Sequence, residues 1–171
     1  MTSSASIVRI ANQKDFSEIW RLFRESHSEN ALFPLAEDKI NWFLSRVLSP
    51  ESIPSDDVNV RGVLGVIGTI GSLEGMVLLT IGSQWYSRAH YLEEYMVYVD
   101  TGHRRSGHAK ALVSWMKLQS EVTGLPLLTG ILSTKRTEAK CRLYQRMLPK
   151  AGEYFLYPAR KEQIMNGSSG G

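Results

Sequence analysis

The chain has 171 residues, enough to bury a core and within the range of one domain, and its 43% apolar and 22% charged content excludes a disordered or fibrous protein. Twenty basic residues against 17 acidic ones leave a formal charge of +3, which suits a polyanionic ligand but is too small to argue for nucleic acid. A single cysteine, Cys141, excludes an intrachain disulfide framework and a multi-cysteine metal site and fits a reducing cytoplasm, while no apolar run is long enough to cross a bilayer and the polar first residues do not read as a signal peptide.

Strand and helix signals alternate along the chain. Val8, Arg9 and Ile10 form a short strand candidate. Phe16, Ile19, Trp20 and Phe23, spaced by three and four, predict a first helix. Ile40, Phe43, Leu44, Val47 and Leu48 form one apolar stripe and predict a second, with residues 30–35 as the connection. Residues 49–57 read as a loop by their Pro, Ser and Asp content. Apolar runs at 62–69 and 75–81, joined by a Gly-bearing turn at 71–75, predict an antiparallel hairpin. Residues 91–99, rich in aromatic and β-branched side chains, predict a third strand. It runs into a basic glycine turn and then a helix with Leu112, Val113, Trp115 and Met116 on its buried face. A strand at 127–132, a helix at 137–148 and a last strand at 154–157 complete the pattern. Residues 1–165 read as a single domain, and residues 166–171 as a flexible Gly/Ser tail.

The informative segment lies between the third strand and its helix. The first backbone N–H groups of a helix have no intrahelical partner, and with the positive end of the helix dipole they form a site for phosphate. Gly107 and Ala109 lack bulky side chains, so a pyrophosphate can approach the main chain closely, and Arg104, Arg105 and Lys110 add positive charge. A solvated basic loop is the competing reading, and a glycine with two arginines does not by itself displace it.

Its register does. Arg104-Arg105-Ser106-Gly107-His108-Ala109 resembles the coenzyme A-binding motif of the GNAT superfamily of N-acetyltransferases, in which Arg or Gln, two residues, Gly, one residue, and Gly or Ala follow a strand. The whole element order, from about Ile7 to Tyr157, can be laid on that family. Thr101, His108 and Arg105 depart from it, standing where proline, an aliphatic residue and glycine are usual.

The resemblance implies an α+β fold with a mostly antiparallel central sheet, helices on both faces and a splayed parallel strand pair that holds acetyl-CoA. It implies transfer of an acetyl group from acetyl-CoA to a primary amine by direct attack, without a covalent enzyme intermediate. Arg104, Arg105, Ser106, Gly107, His108, Ala109 and Lys110 would then hold the diphosphate, and Val97 and Val99 would lend backbone groups to the pantetheine arm.

Amine acetylation needs a base for the acceptor nitrogen and an acid for the departing thiolate. Glu93 and Glu94 are adjacent on the third strand and so face opposite ways, and burial of either would raise its pKa towards a useful range. Glu93 matches the position of the family's general-base glutamate and is the first candidate; Glu94 is the second, since a bulge in this strand would exchange their facings. Tyr144 matches the tyrosine that protonates the thiolate in the family. Cys141 reads as a small apolar residue rather than a nucleophile, and His27, His90, His103 and His108 lack metal-ligand spacing, so no metal is assigned.

The acceptor stays open among small amines, protein lysines and modified bases. Its pocket is expected from the first two helices, residues 30–35 and residues 83–90, with Trp20, Trp42, Trp85 and Tyr86 as wall candidates, though core packing is the expected role of Trp20 and Trp42. Glu25, Glu29 and Glu37 are candidates to attract a cation. No membrane partner is expected, and a homodimer is compatible with the family. The competing function is a non-catalytic coenzyme A-binding or partner-binding domain of the same fold.

Overall fold

A computed structural model describes residues 7–49, 61–133 and 135–156. In chain order these form β1 (Arg9–Ile10), α1 (Phe16–Asn30), α2 (Glu37–Val47), β2 (Gly62–Thr69), β3 (Ser72–Ser83), β4 (His90–Val99), α3 (His108–Thr123), β5 (Leu127–Leu128) and α4 (Thr137–Met147). One five-stranded sheet runs β1-β2-β3-β4-β5, antiparallel except for the parallel β4–β5 pair. This is the mixed α+β arrangement implied by the sequence.

Both faces of the sheet are covered, and β3 carries the evidence in its side chains. Met76 and Leu78 pack with Ile19, Leu22 and Leu44 of α1 and α2, while Val77 and Leu79 pack with Leu112, Val113 and Met116 of α3. Period-two alternation sends neighbours to opposite layers, so a strand covered on both sides needs an unbroken apolar run. Leu112, Val113 and Met116 are fully buried, as the helical spacing predicts. Gly65 lets α3 seat closely: a Cβ there would stand 2.9 Å from the Trp115 ring and 2.9 Å from Val8.

Two irregularities shape the open end of the sheet. In β4 the register with β3 passes from Leu78↔Met96 to Leu79↔Glu94, so Tyr95 is an extra, bulged residue. The β4–β5 ladder ends after Leu92↔Leu127 and Glu93↔Leu128. The expected strand at 127–132 is therefore only Leu127–Leu128. Nor do Tyr154, Phe155 and Leu156 form the expected last strand. The Tyr154 ring instead packs over Gly130, where a Cβ would lie 2.8 Å from it. The hairpin is tighter than expected, with Thr69 paired to Ser72 and Gly71 at φ 85° in the turn. Tyr157, most of the expected 49–57 loop and the Gly/Ser tail lie outside the described residues.

The entry to α1 is fixed by a buried carboxylate. Asp15 is fully buried, accepts from both terminal nitrogens of Arg9 at 2.7 and 2.8 Å, and accepts the Asn12 amide at 3.0 Å. The Arg9 bonds hold its pKa below the usual carboxylate value despite burial. A depressed carboxylate contributes stability above its unfolded pKa and loses it as pH falls below about 4. Asp15→Asn is expected to cost about 2 kcal/mol in urea unfolding at pH 7 and to lose less stability than the parent between about pH 5 and 3.

Candidate active site

Where β4 and β5 part, a cavity of about 830 Å3 opens. Its walls come from α1 and α2, from β4 between Glu93 and Val99, from residues 128–133, and from α4. The divergence creates it, because neither strand fills the space between them once the ladder stops.

Glu94 and Tyr144 meet in this cavity. Leu92 packs in the α3 layer, so alternation puts Glu94 on the same side, facing α4, and Glu93 on the side of α1 and α2. The Tyr144 hydroxyl donates to Glu94 Oε2 at 2.8 Å. Water reaches the carboxyl through the cavity, but dense protein surrounds it. Burial pushes its pKa up to about 7, against the Tyr144 hydrogen bond and the Lys140 charge, which both pull it down. Burial, the Glu94 charge and the shared hydrogen bond raise Tyr144 well above its ordinary value, so the phenol keeps its proton and is the donor. Glu93 also lines the cavity.

The first arginine of the motif is already engaged. Arg104 donates to Glu29 of α1 at 2.5 and 2.7 Å, to the Val99 carbonyl at 3.3 Å and to the Tyr98 hydroxyl at 3.2 Å. Burial pushes the Glu29 carboxyl up, yet Arg104 outweighs it and holds Glu29 below the carboxylate range. Lys140 reaches across from α4 to donate to Asn30 Oδ1 at 2.7 Å, and burial lowers its pKa although Glu29 pulls it back.

The other residues expected to hold the cofactor divide into three groups. Ala109, Val97 and Val99 line the cavity with Arg104. Arg105, Ser106, Gly107 and Lys110 are exposed at the α3 N-terminus, outside the cavity lining. Gly107 is the N-cap and supplies no side-chain cap, and a Cβ there would meet nothing within 4 Å. The first intrahelical bond is from Ala111 N–H to the Gly107 carbonyl, so the amides before it point out of the helix end. One of them, His108 N–H, donates to Ser106 Oγ at 3.3 Å. The His108 side chain turns inward and is buried, with Nε2 2.5 Å from Glu74 Oε2 and its ring stacked on His103. A histidine fits at this usually aliphatic position because the β3 carboxylate meets it.

Of the four aromatic wall candidates, Trp42 lines the cavity and the other three do not. Trp20 is buried in the core and donates to Asn41. Trp85 and Tyr86 are exposed, and no residue of 83–90 lines the cavity. Tyr95 lines the cavity because α2 packs beside it, a contact that no local pattern contains. Glu25 pairs with Arg21, and Glu37 with Arg24. Among the described residues no cluster of His, Cys, Asp and Glu has the geometry to hold a metal ion, and no helix is long and apolar enough to cross a membrane.

No protein-family model and no curated protein matches the sequence. Solved structures do match. The ribosomal-protein-alanine N-acetyltransferase from Brucella melitensis is 18% identical with a TM-score of 0.61, covering 91% of this chain and 99% of its own. AAC(6')-Iy, solved with the bisubstrate analogue CoA-S-monomethyl-acetylneamine, is 13% identical with a TM-score of 0.65, covering 92% and 99%. A GNAT family acetyltransferase from Staphylococcus aureus is 15% identical with a TM-score of 0.57, covering 89% and 97%. Identities this low speak to architecture alone, and the architecture of this chain is the GNAT acetyltransferase fold.

Proposed function

We propose that this chain is an acetyl-CoA-dependent N-acetyltransferase that acetylates a primary amine. The observation that carries this reading is the Tyr144–Glu94 hydrogen bond in the cavity, with a carboxyl poised near 7 beside a phenol that keeps its proton. A titratable group perturbed by burial and held by a specific partner in a cleft is a candidate for proton transfer on physical grounds.

The surroundings fit acetyl-CoA. The open amides at the α3 N-terminus, with Arg105 and Lys110 exposed beside them, suit a diphosphate. β4 beyond Glu93 has no β5 partner, so its edge suits an amide-bearing chain lying along Val97 and Val99. Acetyl-CoA brings a thioester, whose carbonyl carbon is the electrophile and whose sulfur is the leaving group.

The two side chains then divide the proton traffic. As the amine nitrogen bonds to the acetyl carbon, its proton passes to Glu94, directly or through water. As the carbon–sulfur bond breaks, Tyr144 gives its phenolic proton to the sulfur. Glu94 returns its proton to Tyr144 across their hydrogen bond. The products are an amide and a thiol, and both side chains regain their starting states. Glu94 takes the base role in preference to Glu93, because the bonded partner and raised pKa belong to Glu94. A non-catalytic domain of the same fold has no use for a carboxyl held near neutrality against the cost of its burial.

A thiol-release assay with acetyl-CoA and a panel of amines tests the reading. The base must be deprotonated to act, so kcat should climb through an ionisation near 7 and level off above it. Glu94→Gln is expected to remove that limb and lower kcat by roughly 10²–10⁴-fold. If Glu94→Gln turns over like the parent, the assignment is wrong.

Tyr144→Phe is expected to lower kcat by at least about tenfold and to move the ionisation above 7, since the carboxylate loses a hydrogen bond that favours its charged form. A Tyr144→Phe limb left where the parent's lies would show that the phenol does not act on Glu94.

A further inference from the structure

Building on the acetyl transfer proposed above, we infer that the acceptor is a primary monoamine carried on an aromatic or bulky apolar body, and not a polycation. Two independent features of the cavity, its rings and its charges, lead there.

The wall facing Glu93 is aromatic. Phe23 of α1, Trp42 and Phe43 of α2 and Tyr95 of the β4 bulge all line it. Phe43 and Tyr95 stack with centroids 5.9 Å apart and planes 28° from parallel. Tyr95 is 57% exposed and Trp42 49% exposed, so two large rings meet water on a concave surface. A ring or branched apolar group placed there removes water from both and gains the edge and face contacts that aromatic pairs favour. Alternation turns Tyr95 towards α2 after Glu94 has turned towards α4, and the bulge keeps Met96 on the α2 side as well, so two consecutive apolar side chains back this wall.

The charges admit one ammonium and oppose a second. Three carboxyls line the cavity: Glu29, Glu93 and Glu94. Glu29 is matched by Arg104 at 2.5 and 2.7 Å. Glu94 is the proposed proton acceptor, and it faces α4 rather than the aromatic wall. Glu93 has no ion pair among the described residues and can receive the amine as an ammonium, which gives one proton to solvent before the neutral nitrogen attacks and its next to Glu94 as above. Beyond these, Lys39, Lys135, Arg136 and Lys140 also line the cavity. The diphosphate site proposed for acetyl-CoA lies at the α3 N-terminus, and Lys39 is on α2, on the acceptor's side. A second or third ammonium would meet like charge with no unmatched carboxylate to offset it.

The full chain, assayed by thiol release with acetyl-CoA, discriminates directly. The amines are 2-phenylethylamine, tryptamine, spermidine, kanamycin and a lysine-bearing peptide. The two aromatic monoamines are expected to give kcat/KM values at least about tenfold above the other three. Trp42→Ala and Tyr95→Ala, both at half-exposed positions, are each expected to raise KM for 2-phenylethylamine about tenfold while calorimetric affinity for coenzyme A holds. Equal or higher kcat/KM for spermidine, kanamycin or the peptide overturns the inference, as does an unchanged KM in both variants. Coenzyme A uptake with turnover of the polycations alone overturns the acceptor class and leaves acetyl transfer standing. Absence of both coenzyme A uptake and turnover with any amine overturns the two together.

Discussion

A strand that carries one residue too many has to put it somewhere, and in β4 that residue is Tyr95. The pairing of Leu78 with Met96 and of Leu79 with Glu94 leaves Tyr95 unopposed, so the alternation of side chains is reset between Glu94 and Met96. Glu94 reaches Tyr144 on α4 and Tyr95 turns to Phe43 on α2, and the reset brings Met96 to the same layer as Tyr95. In an unbulged strand counted back from Val97, Glu94 would face α1 and α2. Counted forward from Leu92, alternation alone gives Glu94 its facing, so the bulge reconciles that facing with the partly buried positions of Met96 and Val97 further along β4, and the short β4–β5 ladder leaves the gap beside them.

Electrostatics then ties the helical layers across that gap. Arg104 belongs to the turn leading into α3, yet its partners are Glu29 of α1 and Tyr98 of β4. Lys140 belongs to α4, yet its ammonium reaches Asn30 at the end of α1. Each of these groups is only partly exposed, where a charge-assisted hydrogen bond is worth more than at the open surface and a lost partner costs more. The cavity is therefore framed by cations whose positions are set, rather than by a loose basic surface. Of the motif's charges, Arg105 and Lys110 at the helix end are the ones exposed to solvent. Arg104, which the motif marks as a phosphate ligand, instead sits where its first effect is to neutralise Glu29.

The sequence yielded whatever depended on local periodicity. The stripe through Ile40, Phe43, Leu44 and Val47 announced α2, and the run 75–81 announced the second strand of the hairpin. The glycine-led turn into α3 was legible because helix ends expose amides whatever the tertiary context. Contacts between distant segments were not legible. Glu94 and Tyr144 are 50 positions apart, and Glu29 and Arg104 are 75 apart, so no window of sequence contains either pair. Glu93 ranked ahead of Glu94 in the sequence because motif spacing says nothing of burial or of a partner on α4. Trp42 lies off the apolar stripe of its helix, and only the meeting of α2 with the bulge makes it a wall. Residues 154–156 failed as a strand for a related reason: aromatic residues favour strands, but Tyr154 found a glycine to cover instead of an edge to join.

A carboxyl held near 7 is a compromise between chemistry and stability. Its folded pKa lies above the ordinary 4.5, so the folded state binds this proton more tightly than the unfolded chain does. The associated stability is present in full below the unfolded value and is lost as pH rises through about 7. A shift of this size corresponds to a loss on the order of 3 kcal/mol once the carboxylate is charged. Tyr144 and Lys140 reduce that loss by favouring the anion, but too strong an anion partner would return the pKa to the range where a carboxylate is a poor base. A neutral phenol at 2.8 Å, with an ammonium acting only through its field, lies between these limits. An arginine at the same place, like the one beside Glu29, would hold the carboxyl low and make it a poorer acceptor for the proposed proton transfer.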